Sequence, residues 1–222
     1  MQEFNPDVDN IAKEVTDCML KIYDDFQKTK PDLIADYDKG AAIIAYRLGL
    51  DYFTTARNAL YKELIIGGSA VTRSALENLT DLYYVYDKPN KYPMAYVESM
   101  EEFRKIMTIT GAKNKKSNVL ADSRELKQAN KWTNAPIEDR VKASGGPLVN
   151  IYDLLSYFSH PNPGALTYIT SKKLKDKQLN LMKQTNCMIA LSLMKLVLKH
   201  TDVTSVKLNE LEKLALKLDM PL

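Results

Sequence analysis

The chain has 222 residues, 45% apolar and 27% charged, with a formal net charge of +3. That balance supports a packed core and excludes an intrinsically disordered chain, and so small a positive excess does not by itself mark a nucleic-acid binder. Only 8 glycines and 9 prolines punctuate a sequence rich in Leu, Lys, Ala and Glu, which favours helix over sheet.

After Asn5-Pro6-Asp7, the residues Val8, Ile11, Val15, Cys18, Met19, Ile22 and Phe26 recur at three- and four-residue steps and predict a first helix to about Lys28. Pro31 interrupts. Ala41, Ile44, Ala45, Leu48, Tyr52, Ala56, Ala59 and Leu60 predict a second helix within Ile34 to Leu64, weakened at Gly40 and Gly49 and ended by Gly67-Gly68. Ser69 is the expected cap of a third helix reaching Asp87, before Pro89. A fourth runs from Asn90 to Gly111 with Met94, Val97, Met100, Phe103 and Met107 facing inward.

The stretch Lys113 to Ser117, with Lys127, Lys131, Trp132, Arg140 and Lys142, is basic and poorly periodic, and reads as short helices and loops on one side of the molecule. Ser144-Gly-Gly-Pro147 opens a helix that must stop near His160, because Pro161 disfavours helical geometry in the residue before it. Asn162-Pro-Gly164 is an expected turn, followed by an apolar helix from about Asp176 to His200, where His200 meets terminal carbonyls. An amphipathic helix from about Ser205 to Leu218 ends the series. No strand-like alternation, repeat or linker composition intervenes, so the fold expected is all-α: residues 1–222 as one domain, a bundle of about seven to nine helices.

Cys18 and Cys187 form no disulfide framework and suit a reducing compartment. Neither they nor His160 and His200 show the paired spacing of a zinc site, so no metal or cofactor is expected. The acidic start lacks the regions of a signal peptide, and the run Met188–Leu198 is too short to span a bilayer. A cytoplasmic protein with no membrane partner is the expectation.

Two polar stripes carry the chemistry. On the helix ending at His160, Ile151, Leu154, Leu155 and Phe158 share one arc, while Tyr152, Asp153, Ser156, Tyr157 and His160 share the other. An imidazole thus stands at a helix C-terminus with a hydroxyl one turn behind it. Asp153 lies two turns back on the same helix, which argues against a Ser-His-Asp triad. On the third helix, Val71, Ala75, Leu79, Leu82, Val85 and Tyr86 face one way, and Arg73, Glu77, Thr80 and Tyr84 the other, with Asn78 at the border. Arg73 and Glu77 are one turn apart and can pair as an ordinary solvated couple. If the two stripes meet, His160, Arg73, Glu77 and Ser156 are the catalytic candidates. Tyr152, Tyr157, Tyr84 and Asn78 are then the ligand-binding ones.

Thr72-Arg-Ser-Ala-Leu-Glu-Asn78 and Leu155-Ser-Tyr-Phe-Ser-His-Pro161 resemble motifs of uncharacterised bacterial all-helical proteins. In architecture these are similar to the higher-eukaryote-and-prokaryote nucleotide-binding (HEPN) superfamily, a resemblance spanning about Gly40 to His200. It implies RNA or a nucleotide as partner, in a metal-independent ribonuclease of a toxin or antiviral defence system. It equally implies a non-catalytic nucleotide- or anion-binding, protein-interaction or dimerisation module, working as a homodimer. Ribonucleases of that kind carry an arginine shortly before the histidine on the same helix. The window Asp153 to Ser156 has none, so Arg73 would have to supply the cation from another helix.

Overall fold

The computed structural model describes residues 8–29, 36–87, 92–113, 133, 135–160, 163–203 and 207–217. Within them the protein is all-α, with no strand: α1 (Val8–Thr29), α2 (Tyr37–Tyr61), α3 (Ile65–Asp87), α4 (Tyr92–Lys113), α5 (Ile137–Ala143), α6 (Gly146–Ser159), α7 (Pro163–Thr170), α8 (Lys172–Lys199) and α9 (Lys207–Lys217). No helix among the described residues is long and apolar enough to cross a membrane. Lys127, Lys131 and Trp132 lie outside the described residues.

The core forms where α2, α3 and α8 pack on one another, with α1 against α8 and α6 against α3. α2 and α3 touch most extensively, and α2 also approaches α8 closely. A Cβ at Gly49 would overlap the Leu193 side chain of α8, so the absence of a side chain there sets the helix spacing. Buried amides then lock the stack: Asn78 Nδ2 donates to Ala45 O at 2.8 Å, and Asn186 Nδ2 to Phe53 O at 3.2 Å. Each ties a side chain of one helix to the backbone of another, which a buried amide must do to avoid a desolvation cost.

Several sequence expectations are corrected. α2 is continuous through Gly40 and Gly49. It ends at Tyr61 rather than at Gly67-Gly68, because Glu63 takes the left-handed conformation itself (φ 59) and the backbone N–H of Lys62 returns to Asn58 O and Leu60 O. α3 therefore starts at Ile65, and Ser69, the expected cap, is buried inside it. α3 is also covered on more than its apolar arc: Thr72 and Thr80 are buried because α2, α6 and α8 surround the helix, and their hydroxyls turn back to Gly68 O and Glu77 O. Met94 is exposed, while Val97 is buried. The expected turn at Pro163-Gly164 is the first turn of α7, a position where proline's missing N–H costs nothing. His200 closes α8 through its backbone N–H on Val197 O, and its ring lies flat on Tyr86 at 3.5 Å.

Candidate functional site

Gly145, whose φ of +103 makes it a position for glycine, caps the start of α6, and proline follows in the first turn. Leu155 and Phe158 are buried against the core and fix the face that α6 turns to α3. His160 is extended (φ −107, ψ 133), as its place before Pro161 demands, and is exposed at the helix end. Tyr152, expected on the wet face, is instead only 8% exposed, since its ring lies beneath the Arg73 side chain of α3.

Arg73 joins the two stripes. Its Nε donates to Glu77 Oε1 at 3.0 Å and its Nη2 to the Tyr152 hydroxyl at 2.7 Å. Its Nη1 stands 3.4 Å from His160 Nε2, and its Cζ lies 4.9 Å from the centre of the Tyr152 ring. Guanidinium only donates, so in this contact Nε2 is the acceptor and the proton of a neutral ring resides on Nδ1. Burial works against the Arg73 cation, but the Tyr152 hydroxyl and Glu77 outweigh it and hold the Arg73 pKa above its ordinary value. Three of the five guanidinium N–H groups face these partners, and among the described residues the other two meet none, so that they can turn to an oxyanion. Ser156 lies on α6 between Tyr152 and His160, and its Oγ is buried with no hydrogen-bond partner among the described residues.

The structure thus brings Arg73, Glu77, Tyr152 and His160 together and sets Ser156 on the same wall. It does not bring the other candidates there. Asn78 spends its amide on the α2 backbone inside the core. Tyr84 is eleven residues beyond Arg73, about 16 Å along the helix, where it stacks on Tyr92 of α4 at 4.9 Å with the hydroxyls 3.3 Å apart. Tyr157 is 44% exposed near the rim, its ring edge-on to Phe158.

One turn past Glu77, Asp81 meets Arg140 of α5 in an ion pair. Arg140 had been expected on a basic surface; it is drawn inward by this carboxylate. Burial raises the Asp81 pKa to about 6, with Arg140 pulling it down and Glu77 pushing it up. Burial raises the phenols of Tyr96 of α4 and Tyr52 of α2, and the charge of the same carboxylate raises both further. The sequence signal for Asp81 was its place in the four-residue series Arg73, Glu77, Asp81; nothing local pointed to Arg140.

No family model, curated protein or solved structure matches this chain. Among the described residues no three His, Cys, Asp or Glu side chains gather as a metal-holding group. Cys18 and Cys187 are buried and form no disulfide, and burial pushes the Cys187 pKa up to about 12, which disfavours its thiolate.

Proposed function

We propose that the edge where α3 and α6 meet, called the crevice below, is a phosphodiester-directed site and that the protein is a metal-independent ribonuclease, of the kind found in toxin and antiviral defence systems. The observation that carries this reading is the 3.4 Å approach of Arg73 to His160 from helices 87 residues apart in sequence. A phosphate entering at this edge would take the remaining Arg73 donors. As Nη1 turns from His160 to the phosphate it frees the Nε2 lone pair, and Nε2 would then accept the proton of a ribose 2′-hydroxyl as the 2′-oxygen bonds to phosphorus and the bond from phosphorus to the 5′-oxygen breaks. The protonated ring would then return that proton to the leaving 5′-oxygen, giving a 2′,3′-cyclic phosphate and a 5′-hydroxyl. Arg73 would stabilise charge on the phosphate oxygens, Glu77 and Tyr152 would hold Arg73, and Ser156 would line the floor. In this reading the cation that the HEPN resemblance demands comes from α3.

A second reading rests on there being a single imidazole at the crevice. The other histidine, His200, stacks on Tyr86, thirteen residues from Arg73 along α3, about 20 Å away. On this reading the crevice binds a nucleotide or small anion without turnover, as an interaction or dimerisation module, and Tyr157 is a rim contact.

The deciding experiment is cleavage of a short RNA in the presence of a chelator, with the product ends identified. Cyclic-phosphate ends, and a loss of about 100-fold or more in both His160→Ala and Arg73→Ala, are expected. Undiminished cleavage by either variant overturns the ribonuclease. No cleavage, with a nucleotide-dependent rise in melting temperature that vanishes in Arg73→Ala, establishes the second reading.

A further inference from the structure

The Asp81–Arg140 pair ties α3 to α5, the helix that leads into α6. Arg73, Glu77 and Asp81 succeed one another at four-residue steps on one face of α3. Arg140 belongs to α5, and only Ser144 and Gly145 separate α5 from α6. That joint is tight: Ser144 Oγ donates to Val141 O at 2.6 Å, and Leu148 N–H to Gly145 O at 3.3 Å. The two ion-pair side chains are 18% and 19% exposed. Arg140 from α5 contacts the carboxylate, and Glu77 from α3, Tyr96 from α4 and Tyr52 from α2 interact with it electrostatically.

We propose that Asp81 and Arg140 are positioning residues for the crevice: their ion pair clamps α5 to α3 and, through the Gly145 joint, sets where α6 presents Tyr152 and His160 to Arg73. The lever is long. His160 lies fifteen residues beyond Gly145, about 22 Å along the helix, so a tilt of about 3° at the joint moves the imidazole by about 1 Å. Apolar packing of Leu155 and Phe158 keeps α6 on α3 but is non-directional and tolerates such a tilt, whereas an ion pair between partly buried groups has a preferred geometry. A displacement of 1 Å is enough to cost a reaction about 100-fold. That consequence for RNA cleavage rests on the function proposed above; the positional claim does not.

With only 2 histidines in the chain, ring-nitrogen NMR reads His160 and His200 separately. Arg73→Ala marks the His160 signal without its cation. Arg140→Gln and Asp81→Asn are each expected to move the His160 signal at least about halfway to that mark, leaving His200 in place, while Arg140→Lys, which keeps a cation, stays near wild type. An unmoved His160 signal in a folded Arg140→Gln or Asp81→Asn protein overturns the proposal. Should neither variant fold, Gly145→Ala, which strains the joint but leaves the ion pair, must move His160 toward the same mark, and an unmoved signal there overturns it too. Cleavage assays separate the two claims. Where the wild type cuts RNA, an Asp81→Asn protein that cuts as fast refutes the clamp; a wild type that cuts nothing refutes only the ribonuclease, leaving the NMR result to decide the clamp.

Discussion

Arg73–Glu77 and Asp81–Arg140 occupy successive turns of one face of α3 and serve opposite ends. The first is local, one helical turn in span, with side chains 25% and 34% exposed. Such a pair is worth about 0.3–0.5 kcal/mol, and it leaves the guanidinium free to reach Tyr152 and His160. The second joins residues 59 apart in sequence, with both side chains less than one-fifth exposed. There, losing one partner strands a charge out of water, at a cost of about 3–5 kcal/mol. The same chemical couple is a tool where solvent reaches it and an architectural tie where solvent does not.

The sharpest way to break this contrast is Arg140→Leu, expected to destabilise the fold by about 3–5 kcal/mol in urea titration. A loss below about 1 kcal/mol would make the second pair no different from the first. Arg73→Ala should do the reverse: stability falls by less than about 1 kcal/mol, while RNA cleavage drops by about 100-fold or more, near 3 kcal/mol of transition-state stabilisation.

A third test is pH. The Asp81 carboxyl titrates near 3.8 when unfolded and at about 6 in the fold, chiefly because it is buried. The folded protein therefore holds this proton more tightly than the unfolded chain. Asp81 supports stability most below pH 4, and that contribution is lost as pH rises to about 6, by about 3 kcal/mol in all. The difference in stability between wild type and Asp81→Asn should carry this slope between pH 4 and 6.5 and flatten above it. A slope of the opposite sign would mean that Arg140, not burial, governs the carboxylate.

Gly49→Ala sharpens the comparison from the core side. An added methyl would collide with Leu193 and crowd the Asn78 amide, at a cost of about 1–3 kcal/mol, yet the His160 ring signal should stay in place, because Asn78 turns into the core toward Ala45 O and away from the Arg73–Glu77 face. A shifted signal would mean that any destabilisation, not the clamp, loosens α6. Smallest of all, Tyr84→Phe should cost about 1 kcal/mol or less, through its bond to Tyr92, and leave cleavage unchanged.

Much of the helical framework was legible because amphipathic periodicity is a local signal. Val8 to Phe26 announces α1, and Pro161 announces the end of α6, without any knowledge of neighbours. Glycine pairs misled for the same reason: Gly67-Gly68 looks like a terminator, but the reversal needed only one left-handed residue and Glu63 took it. Of the candidate site, the Arg73–Glu77 step and the Tyr152, Ser156, His160 series could be read from spacing alone. Tyr152 was misassigned because a wheel assigns a side chain to water or core by its own neighbours, not by the Arg73 side chain that covers it.

Local periodicity by itself determined that this protein is helical, where most of its helices run, and which side chains share a helical face. Tertiary structure alone decided that Arg73 meets His160, that Asn78 serves the core, and that Arg140 leaves the basic surface for Asp81. The physical reason is range: helix formation and capping act within a turn or two of the chain. The desolvation that forces buried charges and amides to find partners acts on whatever packing brings near, at any distance in sequence.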